Sequence, residues 1–200
     1  MFSDILLFIS DSTFMSLSVN IIGLVFIYTN ILNNFYIYNI KSMILRIKKG
    51  NHYSNSILPS FRINTISGHL RFNGDFSYEI DRINQLDTNK VIGLSDSYHH
   101  HRNSIRIGWR WNKRVDKIEI LYTVYRNSIR YIESICFIDS DRFYDFEISI
   151  IKGKYLLWFN DIYIEVYRSS NWILPRYVLF PFFGGNISAP KEFKFDIVVK

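Results

Sequence analysis

The sequence lacks several patterns that mark common enzyme classes. Its single cysteine, Cys136, cannot form an intrachain disulfide and cannot supply the paired thiolates of a structural zinc site. It contains neither a glycine-rich phosphate-binding loop nor the Gly-x-Ser-x-Gly segment that surrounds the nucleophile of many hydrolases. The sequence therefore does not predict a nucleotide-binding enzyme with a phosphate-binding loop, and it does not predict a serine hydrolase with a Gly-x-Ser-x-Gly segment.

Lysine and arginine are absent from residues 1–40, whose only charged side chains are Asp4 and Asp11. Within this apolar segment, residues 14–32 are long enough to cross a bilayer as a helix. We therefore predict membrane association through one amino-terminal span, with the following basic residues on the cytoplasmic side. Two alternatives remain open. In the first, the natural start is Met43, and the protein without the segment is soluble. In the second, the segment is part of the protein and folds as a buried helix or strand pair.

The rest of the chain divides into a linker and a β-rich domain. Residues 41–60 are basic and polar and show no sustained periodicity, which is typical of a linker. From residue 61 to residue 200, short apolar-polar alternations are separated by Gly and Asn turns. The predicted strands include Phe76–Ile80, Ile105–Trp111, Lys117–Tyr125, Ile129–Ile138 and Ile162–Tyr167. The pattern predicts an all-β domain, an antiparallel β-sandwich or jelly roll, preceded by the apolar segment.

Charge gives a weak indication of the partner. The formal net charge is +6, and because residues 1–40 carry only two aspartates, residues 41–200 carry +8. Such an excess favours anionic partners such as acidic glycans, nucleic acid or lipid headgroups, although charges spread over many strands are commonly just a solvated surface. Nucleic acid is disfavoured, because no recognition helix or aromatic-strand motif accompanies the basic residues.

Three consecutive histidines precede a predicted strand that carries two arginines. In this strand apolar residues alternate with Arg106 and Arg110, so both arginines belong to the polar face. A tryptophan in a polar loop further along adds an exposed ring of the kind on which sugars stack. The predicted ligand-binding residues are His99, His100, His101, Arg106, Arg110 and Trp172.

These residues could support chemistry as well as binding. Two histidines two apart on an extended chain can share a metal ion, but zinc requires three or four ligands. The further ligands available, Asp96 and His69, have no spacing that brings them together, so we predict no metal and no cofactor. A lyase is the enzymatic alternative. The arginines would neutralise a uronate carboxylate, a histidine would act as base, and Tyr98 would donate or accept a proton.

A second segment, Leu179 to Pro190, ends a large apolar strand at Gly184 and Gly185. Together with the histidine loop it resembles a family of small, uncharacterised bacterial β-proteins. The matching motifs are Leu94-Ser95-Asp96, His100-His101, Asn103-Ser104, Gly108-Trp109-Arg110 and Phe180 to Pro190. The resemblance implies a concanavalin-like jelly roll, and the closing strand looks like that of jelly rolls that bind or cleave polysaccharides. The chain departs from the family's exported lipoproteins, because it lacks the cysteine that lipidation requires.

Three functions follow from these observations. The leading one is a noncatalytic carbohydrate-binding module with a preference for acidic glycans. The second is a lyase-like, polysaccharide-cleaving enzyme on the same face, and the third is a structural or protein-interaction domain tethered to a membrane. The predicted span conflicts with the first two, because it would place the domain in the cytoplasm, where free polysaccharide is scarce.

Overall fold

A computed structural model of the protein describes residues 41–55, 63–169 and 176–200. Within these ranges the chain forms two antiparallel sheets and a short 3-10 turn at Asn84–Leu86. The six-stranded sheet runs, in spatial order, β1 (Lys41–Ile47), β11 (Phe193–Val199), β2 (Thr65–Asn73), β7 (Phe143–Ile151), β8 (Lys154–Phe159) and β9 (Ile162–Tyr167). The five-stranded sheet runs β10 (Tyr177–Leu179), β3 (Asn89–Ser95), β4 (Ser104–Asn112), β5 (Lys117–Arg126) and β6 (Ile129–Ile138).

The core forms between the inner faces of the two sheets. Trp109 of β4 is fully buried at its centre, with the rings of Phe76 and Phe193 5.0 and 4.9 Å from its own. In β7 the alternation expected of a half-buried strand is present, because Tyr144 and Phe146 are buried while the residues beside them face outward. The predicted all-β sandwich is confirmed.

The sheet begins earlier than the sequence predicts, because β1 lies inside the segment interpreted as a linker. All seven of its residues pair with β11, and the side chains of Leu45 and Ile47 enter the core. Two features obscure its period in the sequence. Ile44 is apolar but faces outward and is 54% exposed, and basic residues surround the strand. Charged side chains are common on edge strands, where they discourage pairing with other molecules.

The residues that follow β1 pack against the Leu179–Pro190 segment. The backbone N–H of Gly50 donates to the carbonyl of Ala189 at 2.8 Å, and that of Phe183 donates to the carbonyl of His52 at 2.8 Å. The ring of His52 stacks on Phe182 with centroids 5.5 Å apart. Residues 41–55 are therefore part of the sandwich, and not a spacer ahead of it.

The predicted membrane span, residues 14–32, lies outside the described residues, as does the predicted boundary at residue 61. In the ranges that the structure describes, no helix has the length and apolar character needed to cross a bilayer. Membrane association and the alternative start at Met43 both stay predictions.

Candidate functional site

The central strand of the five-stranded sheet presents two arginines on the face that points away from the core. Strand β4 lies between β3 and β5, and its residues Ile105, Ile107 and Trp109 are fully buried against the other sheet. Because side chains alternate along a strand, Arg106 and Arg110 belong to the opposite face. We call this the outer face of the five-stranded sheet.

Arg106 is buried on the outer face, and no carboxylate of a described residue forms an ion pair with it. It is only 5% exposed, and its Nε and Nη2 atoms have no hydrogen-bond partner among the described residues. Its stem lies across Gly93, its register partner on β3, where a Cβ atom would come within 2.7 Å of Cγ. Burial lowers the pKa of the guanidinium to about 10. A guanidinium that has lost its water without gaining an acceptor is costly, which is typical of a site that receives an anion.

A second buried cation, Lys90 of β3, accompanies Arg106. Lys90 pairs with Gly108 of β4, two residues along from Arg106, which places the two side chains diagonally on the outer face. It is 8% exposed, and its Nζ lies 5.6 Å from the centre of the Phe182 ring. Burial, and next the charge of Arg106, lower the pKa of this amine to about 8.

Lys90 is absent from the predicted ligand-binding residues because the sequence of β3 does not alternate between apolar and polar residues. All seven of its residues are buried, and its register with β4 shifts between Lys90 and Ile92. A bulge places successive residues on unexpected faces, so alternation does not reveal where Lys90 points. The only signal in the sequence is a lysine within a short apolar strand, a rare environment for a charged residue.

Two of the three histidines approach the arginine. The rings of His100 and His101 lie 4.3 Å apart at 85°, and the ring of His101 lies 5.0 Å from that of Tyr125 on β5. Burial, and next the charge of Arg106, lower the pKa of His100 to about 4, so this imidazole is neutral at pH 7. Burial and Arg106 also lower the pKa of His101. His99 is exposed, and its backbone carbonyl accepts the Ser97 hydroxyl.

Hydrogen bonds fix the base of the histidine loop. The Ser104 hydroxyl donates to the carbonyl of His100 at 2.6 Å, and the backbone N–H of Asn127 donates to Oδ1 of Asn103 at 3.0 Å. Asp96, considered as a metal ligand, is instead fully buried in an ion pair with Arg168. The Ser-Asp and Asn-Ser motifs therefore hold the loop in place.

The two arginines of β4 differ in their partners. Arg110 forms two hydrogen bonds with the buried carboxylate of Glu119, Nε to Oε2 at 2.8 Å and Nη2 to Oε1 at 2.9 Å, and a third from Nη1 to the carbonyl of Leu86 at 3.1 Å. Its charge is thus neutralised within the protein. The structure brings together His100, His101 and Arg106 of the predicted set, and Trp172 lies outside the described residues.

Other polar features of the described structure lie apart from Lys90 and Arg106. A cleft of about 330 Å³ opens where the end of β6 meets the β8–β9 turn, and it contains none of the predicted ligand-binding residues. His69, the second residue considered for metal binding, is hydrogen-bonded to Asp145. Across the described parts of the chain, no three His, Cys, Asp or Glu side chains are grouped as metal ligands would be.

Neither a family model nor a curated protein matches the sequence. Solved structures match it in fold. An alginate lyase from Klebsiella pneumoniae is 8% identical with a TM-score of 0.50, and the match covers 68% of this chain and 58% of the lyase. The chain therefore spans little more than half the length of that enzyme. A GH16 protein of the Bacteroides ovatus mixed linkage glucan PUL is 13% identical over 81% of each chain, with a TM-score of 0.47.

A functionally unknown protein from Saccharomyces cerevisiae is also similar, at 12% identity and a TM-score of 0.47 over 80% of this chain and 87% of that one. At these identities the likeness shows the fold alone. The chain is an antiparallel β-sandwich of the concanavalin-like jelly-roll type, as the sequence predicts.

Proposed function

We propose that this protein is a carbohydrate-binding module that holds an acidic polysaccharide on the outer face of its five-stranded sheet. The observation that carries the proposal is Arg106, a buried guanidinium whose Nε and Nη2 atoms have no acceptor among the described residues. These two atoms form the edge of the guanidinium that binds a carboxylate through two parallel hydrogen bonds. A uronate residue of a polysaccharide offers such a carboxylate.

The surroundings of Arg106 favour a sugar as the carrier of that carboxylate. Tyr125 and His101 form a tilted ring pair on one side of the site, and Tyr177, whose hydroxyl donates to the carbonyl of Tyr98 at 3.1 Å, also interacts electrostatically with Arg106. Aromatic rings beside hydrogen-bonding groups are a common arrangement for binding a pyranose. The scaffold agrees with this proposal, because the Klebsiella protein of similar fold is an alginate lyase.

A lyase-like activity on the same face is the second candidate, and His100 is the observation that favours it. A general base must be unprotonated at the working pH, and the lowered pKa of this imidazole keeps it so. Arg106 would neutralise the uronate carboxylate, His100 would take the proton from C5, and a tyrosine such as Tyr125 would donate a proton to the glycosidic oxygen as its bond to C4 breaks. Binding alone does not require His100 to be neutral.

Affinity electrophoresis of the full-length protein tests the binding proposal. Gels would contain polygalacturonate, alginate or a neutral glucan, and the proteins would be wild type, Arg106→Met and Arg46→Met. Arg46 is an exposed arginine on the other sheet and controls for the loss of one charge. We expect an acidic polymer to retard wild type and Arg46→Met, with affinity about tenfold or more lower in Arg106→Met. Unchanged mobility in every gel would contradict the proposal and favour a protein-interaction domain.

Turnover separates the two candidates. Elimination in a uronate polymer creates an unsaturated sugar end that absorbs ultraviolet light, so absorbance reports cleavage directly. A lyase requires His100→Gln to abolish the absorbance increase while only weakening retardation in the gel. A binding module gives no increase with any polymer that retards it.

A further inference from the structure

The outer face holds two buried cations, Lys90 and Arg106, neither of which forms an ion pair with a described carboxylate; the charge of Asp87 acts on Lys90, but its effect is smaller than those of burial and of Arg106. Four other lysines of the described chain form ion pairs with carboxylates, at Lys113–Glu79, Lys117–Asp139, Lys154–Glu165 and Lys191–Asp75. Each of these pairs is at the surface. Lys90 is far more buried, yet no carboxylate of a described residue lies within 4 Å of its Nζ. Burying an ammonium group beside a guanidinium is unfavourable unless an anion joins them.

The backbone around these two groups is kept clear of side chains. A Cβ atom at Gly184 would stand 3.1 Å from Nζ of Lys90, and one at Gly93 would stand 2.7 Å from Cγ of Arg106. The Gly184 N–H is held by Oδ1 of Asn89 at 2.8 Å, which fixes this segment beside β3. Both cations therefore occupy space that any larger residue at these glycines would take.

We infer that Lys90 and Arg106 form an oxyanion subsite, in which Lys90 is a specificity-determining residue for the acidic group of the ligand. The Nε–Nη2 edge of Arg106 would take two oxygens of the group, and the ammonium of Lys90 would take the charge from the side. Carboxylate and sulfate both fit this description. The subsite rests on the proposed function for the identity of its natural ligand, a polysaccharide, but its chemistry is testable with small anions.

Binding of an anion in the subsite should be accompanied by uptake of a proton. An anion next to Lys90 favours the ammonium, so binding should raise the pKa of this group above its value of about 8 and draw a proton from the solvent near pH 8. Affinity should then fall as the pH rises above 8. The other charged or titratable groups that act on Lys90 or share its surroundings are Asp87 before β3, Arg106, Arg130 on β6, and His100 and His101 of the loop.

Calorimetric titration of the full-length protein at pH 8 tests the subsite. The probes are an oligogalacturonate, inorganic sulfate and an uncharged oligoglucose, each in two buffers of different protonation enthalpy, so that proton uptake is measured with affinity. The variants are Lys90→Met, Lys90→Arg and Lys152→Met, the last changing a lysine exposed in the β7–β8 turn. Thermal unfolding of each variant confirms that it is folded.

We expect wild type and Lys152→Met to bind an anionic probe with proton uptake. Lys90→Met should bind about tenfold or more weakly and take up no proton, while Lys90→Arg should keep most of the affinity without the uptake. Galacturonate binding without sulfate binding would identify a carboxylate site. Wild-type affinity in Lys90→Met, or failure of both anions to bind wild type, would overturn the subsite. Anion binding without retardation by any polysaccharide would instead overturn the proposed function and leave the subsite standing.

Discussion

Gly93 of β3 and Arg106 of β4 are register partners, and the arginine stem lies over the glycine so closely that a Cβ atom there would be 2.7 Å from Cγ. Real Cβ atoms do not make contacts this short. The same Cβ would lie 2.3 Å from the carbonyl oxygen of Ile105, so the backbone would have to move as well. The position of the buried guanidinium therefore depends on a glycine in the neighbouring strand.

The variant Gly93→Ala should lose both stability and ligand affinity. We expect the free energy of unfolding to fall by about 1–3 kcal/mol, because the added methyl group overpacks a closed face. Chemical denaturation and affinity electrophoresis measure the two effects. Gly74→Ala is the matched control, since Gly74 has φ +94° with open space around it. It should lose about 1 kcal/mol through backbone strain while binding normally. Wild-type retardation of Gly93→Ala would contradict this dependence.

Arg110 should contribute mainly to stability, in contrast to Arg106. Removing it in Arg110→Met leaves the carboxylate of Glu119, which is 4% exposed, with only neutral partners among the described residues, the amide of Asn112 at 3.2 Å and the side chain of Ser134. We expect a loss of about 2–3 kcal/mol in the free energy of unfolding. Glu119→Gln in the same protein should recover most of it, because a neutral amide needs no counter-charge. Retardation by an acidic polymer should fall less in Arg110→Met than in Arg106→Met, and an equal fall would return Arg110 to the ligand-binding residues.

The buried ion pair between Asp96 and Arg168 fastens the end of β3 to the residue after β9. Both side chains are almost completely buried, so removing one charge leaves the other buried without its partner. Asp96→Asn should lower the free energy of unfolding by about 3–5 kcal/mol, measured by urea denaturation. Asp145→Asn changes an exposed carboxylate and is the control. Its free energy of unfolding should fall by no more than about 1 kcal/mol. A loss of similar size in both variants would contradict the structural role given to the pair.

Local alternation predicts the strands well where one face is buried and the other exposed. β7 is an example. In β4 the same period places Arg106 and Arg110 on one face, although residues 104–109 are buried on both faces. Phe76–Ile80 alternates in the same way but forms no strand. The N–H groups of Ser77 and Ile80 bind the side chains of Asp75 and Gln85 instead of a neighbouring strand. Alternation therefore reports which side chains face the core, and not whether a backbone partner exists.

Which residues belong to the candidate site depends on contacts between strands, and a local sequence pattern does not show these contacts. Glu119, which neutralises Arg110, lies on the next strand, and only the β4–β5 register places it opposite. Lys90 reaches the outer face beside a register shift, which breaks the alternation that located Arg106. The histidine loop was located by composition alone, but its split into an exposed His99 and a half-buried His100 depends on how the loop packs.

His100 should make the fold sensitive to mild acid. Its pKa is lowered from 6.5 to about 4 in the folded protein, by burial first and by the charge of Arg106 next. In the interval between these values the unfolded chain binds a proton that the folded chain does not, so stability falls as the pH falls from 6.5 to 4. Above pH 6.5 the imidazole is neutral in both states and makes no such contribution.

Thermal unfolding at several pH values between 7 and 4 measures this effect. His100→Gln keeps a polar side chain but cannot take up the proton, so its melting temperature should decline less steeply over the interval than that of wild type. His99→Gln controls for the loss of one histidine from the same loop. A decline in His100→Gln that parallels wild type throughout would show that His100 gains its proton equally easily in the folded and unfolded states, and would remove the main support for its role as a neutral base beside Arg106.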